Sequence, residues 1–144
     1  EHAPGFLYGL PIVVKDSEPL AGVRFVCGSP LYTNRIARET SPLLEILEAK
    51  GALIIGKTNT PEMCAGMHTF NPVFGATCNP HNPNCLAGGS SGGSAAALAC
   101  GQAWLATGSD LGGSLRIPAS YCGVLGFRPS SSEEAPGDVS GPMA

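Results

Sequence analysis

Short apolar runs, broken by glycine or by polar residues, set the rhythm of this chain. Leu10-Pro11-Ile12-Val13-Val14 is β-branched at its centre and stops at Lys15-Asp16, which predicts a buried strand over residues 12–14 with Lys15 at its exit. Ser41 and Pro42 then stand as N-cap and first helical residue. Leu43, Leu44, Ile46 and Leu47 supply the apolar face of that helix, and Gly51 ends it. Residues 52–55 follow directly as a strand, giving the helix-then-strand order of α/β proteins. A second helix is predicted to begin within Ser91-Gly92-Gly93 and to run through the alanines to Cys100 and Gly101. Residues 104–107 read as a strand, 118–121 as a helical turn and 124–127 as a last strand. The prolines and asparagines of residues 71–87 predict loop throughout.

Composition narrows the classes without choosing among them. At 144 residues and 43% hydrophobic content, one domain with an ordinary core is expected. The net charge is −3 and the lysines and arginines are scattered, so no basic stripe is available to follow a phosphate backbone, and direct nucleic-acid binding is not expected. The apolar runs are too short for a membrane span, and Glu1-His2-Ala3-Pro4 lacks the features of a signal peptide. A soluble, cytoplasmic chain is the expectation. None of the six cysteines forms a CxxC pair and the three histidines fit no common ligand spacing. No zinc site is expected from that pattern, reduced structural thiols are expected from the compartment, and no cofactor is expected.

Two short motifs invite other functions. Residues 51–58, Gly-Ala-Leu-Ile-Ile-Gly-Lys-Thr, match the phosphate-binding pattern GxxxxGK[ST], but that loop should follow a strand and open a helix. Here a helix precedes it and its interior reads as a strand. Residues 88–92, Gly-Gly-Ser-Ser-Gly, match the nucleophile elbow GxSxG, yet no histidine lies beyond His81 to act as its base. What remains is two serine- and glycine-rich segments, 88–94 and 109–114, and a need for a base. A lysine can serve if burial lowers its pKa, and Lys15, beside Val14 at the end of an apolar strand, suits that role better than Lys50 or Lys57.

Three blocks in order, Gly-Leu-Pro-Ile-Val-Val-Lys-Asp (9–16), Gly-Gly-Ser-Ser-Gly-Gly-Ser-Ala-Ala-Ala (88–97) and Gly-Ser-Asp-Leu-Gly-Gly-Ser-Leu-Arg-Ile-Pro-Ala (108–119), resemble the amidase signature family. The resemblance implies a mixed α/β fold with a β-sheet core flanked by helices, spanning residues 1–129, with an irregular tail at 130–144 that departs from the family pattern. It implies hydrolysis of a small-molecule amide through an acyl-enzyme, with Lys15 as base, Ser90 as bridging serine after a cis peptide bond, and Ser114 as nucleophile. It further implies an oxyanion hole from the backbone amides of Leu111, Gly112, Gly113 and Ser114. Met63, Cys64 and Ser91 are candidate substrate contacts, and Asp110 and Arg116 are expected to hold the loop. Family members run to several hundred residues, so a truncated or non-catalytic chain with a binding role stands as the alternative, and homo-oligomer formation is left open. The segment His68-Thr69-Phe70-Asn71 reads more like a general bacterial amidase than a tRNA-linked glutamine amidotransferase subunit, which is ranked as the less favoured of the two.

Overall fold

The computed structural model describes residues 4–130. At its centre is a parallel sheet of three strands, β1 (Pro11–Lys15), β2 (Leu53–Thr58) and β7 (Leu105–Ala106), in the order β2-β1-β7. β1 lies between the other two, and its β-branched residues are buried: Ile12 and Val14 are fully inaccessible to solvent. Alternation along the strand turns Ile12 and Val14 to one face and Val13 and Lys15 to the other.

Helix α1 (Pro42–Ala49) covers the first face. Leu44 packs there with Ile12 and Val14, and Leu10, Leu20, Leu47, Ala52 and Ile54 close around them. Ser41 is the N-cap residue and Pro42 the first helical residue, as the sequence predicts, but the Ser41 hydroxyl forms no capping bond. Helix α2 (Gly92–Ala99) and helix α3 (Arg116–Cys122) form a second cluster through Ala95, Cys122 and the preceding Ala87. α2 can lie close to its neighbours because it opens with two glycines: a Cβ on Gly93 would stand 2.3 Å from the Asn59 backbone nitrogen.

Several boundaries differ from expectation. β2 extends to Thr58 because its polar end is satisfied internally: Thr58 Oγ1 meets Ser94 Oγ at 2.7 Å, and Lys57 pairs with Asp16 at 3.2 Å. This also disposes of the phosphate-loop match, since residues 53–58 are strand and the Lys57 ammonium faces Asp16 and the Glu18 carbonyl. The stretch predicted as loop contains two short antiparallel ladders, β3 (Phe70–Asn71) with β4 (Gly75–Ala76), and β5 (Cys78–Asn79) with β6 (Asn82–Leu86). Asparagine side chains tie their turns, Asn71 Oδ1 accepting from Val73 and Phe74 and Asn79 Oδ1 accepting from His81. The helix expected at 118–121 is longer, starting at Arg116. The strand expected at 124–127 does not form. Leu125 and Phe127 are 92% and 75% exposed, and with Trp104 and Leu105 they line an open apolar groove of about 540 Å³. Val124 N–H instead donates to the Ala119 carbonyl, closing α3. Apart from Ser130, the expected tail lies outside the described residues. Among the described residues, no helix is long and apolar enough to cross a membrane.

Leu44 should carry much of the first core. Leu44→Ala is expected to lower unfolding free energy by about 2–5 kcal/mol, as for buried leucines generally. Leu31→Ala, at a side chain 84% exposed, should change it little; urea titration of both variants checks this.

Candidate active site

All three strands of a parallel sheet end on one side, and loops leaving that side are where such folds place their chemistry. β1 ends at Lys15, β2 at Thr58, and β7 runs into Thr107-Gly108-Ser109. The N-terminal end of α2 arrives at the same place, bringing Ser90 and Ser91.

Lys15 is fully buried, and its ammonium donates to Ser90 Oγ at 2.6 Å and to Ser109 Oγ at 2.7 Å. Its backbone N–H donates to Thr107 Oγ1 at 2.9 Å, tying the strand end to the loop after β7. Among the described residues it makes no ion pair. Burial pushes the Lys15 amine below its ordinary value, while nearby Cys64, Glu18 and Asp110 pull the other way. The Gly89–Ser90 peptide bond is cis, and Ser90 is 1% exposed.

Ser91 is the tie between the two serine-rich segments. Its N–H donates to the Ser114 carbonyl at 3.0 Å, and its hydroxyl accepts from Ser109 N–H at 3.3 Å and donates to the Ser109 carbonyl at 3.4 Å. With its hydroxyl engaged and its side chain buried, Ser91 tethers the two loops at the edge of the apolar groove. Ser114 is half-buried, held beside Ser90-Ser91 through that carbonyl, and its hydroxyl makes no hydrogen bond among the described residues.

Asp110 organises the loop that carries Ser114. Its carboxylate accepts from the N–H groups of Gly113 at 2.6 Å, Leu115 at 3.4 Å and Arg116 at 3.3 Å. The Arg116 guanidinium closes the arrangement bidentately, Nε at 2.8 Å and Nη2 at 3.0 Å. Of the four amides expected in the oxyanion hole, that of Gly113 is therefore directed at Asp110 in this structure. The amides of Leu111, Gly112 and Ser114 have no partner among the described residues. Met63 and Cys64 occupy consecutive left-handed positions, φ 53° and 59°, and Met63 N–H donates to the Cys27 carbonyl at 2.8 Å. Cys64 lies half-buried on the Lys15 side, whereas Met63 is 44% exposed.

Ser109 and Thr69 lie in segments that the sequence marks, but the sequence assigns neither the contact it makes. Ser109 stands in the same block as Ser114, and only its distance to Lys15 distinguishes it from a turn residue. Thr69 is 2% exposed, and its hydroxyl donates to the Gly88 carbonyl at 2.9 Å while accepting from Gly92 N–H at 3.0 Å.

The fold and the site thus define a parallel α/β unit that holds a buried lysine–serine pair at the carboxyl ends of its strands. The chain belongs to the amidase family, whose model matches residues 1–134. The A subunit of glutamyl-tRNA(Gln) amidotransferase from Thermosynechococcus vestitus is 46% identical over 126 residues, 88% of this chain and 26% of that protein. The solved A subunit of the same amidotransferase from Thermotoga maritima is 36% identical with a TM-score of 0.81, covering 90% of this chain and 29% of that one. An inhibitor-bound structure, from work on a vestigial complex and the origins of an s-triazine catabolic enzyme, is 44% identical with a TM-score of 0.80, covering 85% and 27%. The chain spans about a quarter of the length of the curated relatives it matches.

These relatives overturn the ranking that put a general amidase first and an amidotransferase subunit behind it. Curated relatives at 44–48% identity repeatedly carry the name of the amidotransferase A subunit. The physical reason for the error is visible in the structure. Thr69 and Asn71, half of the tetrapeptide that carried the preference, are 2% and 4% exposed and bonded to backbone, so they report on the fold and not on the substrate.

Asp110 gives the site a pH signature. The Arg116 guanidinium, with the backbone N–H groups of Gly113, Arg116 and Leu115, holds its carboxyl well below the usual carboxylate range. A carboxylate depressed in the folded state stabilises fully above its unfolded pKa of about 3.9 and loses that contribution as pH falls through and below it. Stability of the wild type should therefore fall between about pH 5 and pH 3 more steeply than that of Asp110→Asn. Urea midpoints across that range measure the difference.

Proposed function

We propose that this chain forms the catalytic core of a glutamine amidotransferase subunit of the A type, cleaving the side-chain carboxamide of glutamine and releasing ammonia. The observation that carries the chemistry is the buried contact of Lys15 Nζ with Ser90 Oγ at 2.6 Å. The relatives' name supports the choice of glutamine as the amide.

In this mechanism neutral Lys15 takes a proton from Ser90, and Ser90 takes one from Ser114 as its Oγ attacks the amide carbon. The carbonyl π bond opens to a tetrahedral oxyanion. In this reading the amides of Leu111, Gly112 and Ser114, which have no partner among the described residues, are the donors that meet that charge, and fixed dipoles stabilise it without solvent reorganisation. Collapse breaks the C–N bond, with the proton returning through Ser90 to the departing nitrogen, so that ammonia leaves and an acyl ester remains on Ser114. Water, deprotonated along the same path, then cleaves the ester and restores the free serine. Ser109 keeps the amine aligned while its bond to Ser90 changes partner. Cys64, which lies on the Lys15 side, and its neighbour Met63 are the candidate contacts for a substrate side chain. Residues 1–129 act as the working unit.

Lys15→Ala should lower ammonia release from L-glutamine by about 10²–10⁴-fold, the usual contribution of a positioned base. In the wild type the rate should rise with pH as Lys15 loses its proton, and because burial depresses that pKa, the rise should be centred below the ordinary lysine value of about 10.4. An enzyme-coupled ammonia assay reads both. Release from simple aliphatic amides with none from glutamine would overturn the substrate assignment, and unchanged release in Lys15→Ala would overturn the base.

A further inference from the structure

We propose that Thr69 is a positioning residue for this reaction: its hydroxyl braces the Gly88–Gly92 turn on both sides of Ser90 and so holds Ser90 Oγ on the Lys15 amine. The inference rests on the roles of Lys15 and Ser90 given above and adds a residue to them.

The Thr69 hydroxyl has one proton to give and lone pairs to receive with, and both capacities are used on the same turn. It donates to the carbonyl two residues before Ser90, at 2.9 Å, and accepts from the amide two residues after it, at 3.0 Å. The neighbouring chain is fitted to this contact. A Cβ on Gly92 would stand 2.3 Å from Thr69 Oγ1, and a Cβ on Gly89 would stand 2.8 Å from both the His68 nitrogen and the Met67 carbonyl carbon. The segment ending at Thr69 therefore lies directly against the turn, with no side chain between them.

The brace is anchored outside the turn it holds. The Thr69 carbonyl accepts from Thr77 N–H at 2.8 Å, next to the β3–β4 ladder that begins at Phe70. Ser90 thus receives its position from a separate element, whereas the Lys15 amine is held independently through Ser109 Oγ at 2.7 Å. Loss of the Thr69 hydroxyl would leave Lys15 on Ser109 and free Ser90 to move away. The Gly88 carbonyl and Gly92 N–H would also lose their buried partner, which drives the turn to rearrange toward water. A displacement of about 1 Å in a reacting group is enough to cost on the order of 10²-fold in rate.

The test uses the full chain and the rate at which a fluorophosphonate labels Ser114, resolved into kinact and KI, for wild type, Thr69→Val and Thr69→Ser. Valine keeps the branched shape and removes the hydroxyl; serine keeps the hydroxyl and removes the methyl. The expected result is a kinact lowered by about 10–10²-fold in Thr69→Val with KI unchanged, and restored to within a few-fold of wild type in Thr69→Ser. A folded Thr69→Val labelled at the wild-type rate would overturn the proposal, as would equal impairment of both variants, which would assign Thr69 to packing. Should the added methyl against Gly92 prevent folding, Thr69→Ala removes the same hydroxyl and carries the comparison.

Competitive acetylation of Lys15 across pH provides a readout that needs no turnover. Because burial is the main cause of the lowered Lys15 pKa, an opened turn should move its titration upward in Thr69→Val and leave it in place in Thr69→Ser. An unchanged titration in Thr69→Val contradicts the brace. If wild type is not labelled at Ser114 at all, the catalytic proposal fails, and this titration still decides whether Thr69 sets the environment of Lys15.

Discussion

A lysine amine buried without an ion pair among the described residues is the constraint around which the rest of this structure is arranged. An isolated ammonium in a low-dielectric interior is costly, and the protein meets that cost with the hydroxyls of Ser90 and Ser109 and not with a counter-charge. An adjacent carboxylate would have fixed the proton on the lysine. Hydroxyl partners satisfy the amine in either protonation state, and desolvation then favours the neutral one. The fold keeps its ion pairs apart from this point: Asp16 is paired with Lys57, and Asp110 with Arg116.

Meeting that constraint requires five segments to converge: the ends of β1 and β7, the turn at 88–92, the loop at 109–114 and the brace from residue 69. Small residues make the convergence geometrically feasible. The Gly92–Gly93 opening of α2 lets Thr69 and the Asn59 backbone approach to distances that any side chain would block. Ser91 joins the two serine-rich segments through backbone and hydroxyl together, and Asp110 gathers three amides and a guanidinium around the residues flanking Ser114. The positions of Ser90 and Ser114 are thus consequences of a polar network packed on the inner face of α2, while the apolar cluster around Leu44 supports β1 from behind.

Much of this was legible along the chain, for reasons that differ by element. β1 and α1 announce themselves because a β-branched run and a Ser-Pro start with a glycine stop are local signals. Lys15 stood out since it directly follows the β-branched run Ile12-Val13-Val14, whereas Lys50 ends a helix and Lys57 follows a glycine. The hairpin at 78–86 was hidden because its ladder is short and its turns are held by asparagine side chains, a signal easily read as plain loop. The strand expected at 124–127 failed for the opposite reason: its apolar pattern suits a strand, but among the described residues no neighbour pairs with it. The contacts of Ser109 and Thr69 could not be read from pattern, although both lie in segments the sequence marks, because those contacts are made 94 and 19 to 23 residues away in sequence. The ranking of a general amidase above an amidotransferase subunit rested on four residues, two of which are internal braces.

In the proposed mechanism the buried Lys15–Ser90 pair activates Ser114. Intact mass after exposure to a fluorophosphonate tests it most directly, on the wild-type chain, on Ser114→Ala and on Lys15→Ala. A single adduct is expected on the wild type, none on Ser114→Ala, and strongly slowed labelling of a folded Lys15→Ala. A folded wild type that takes no adduct, or an adduct that survives Ser114→Ala, would contradict it.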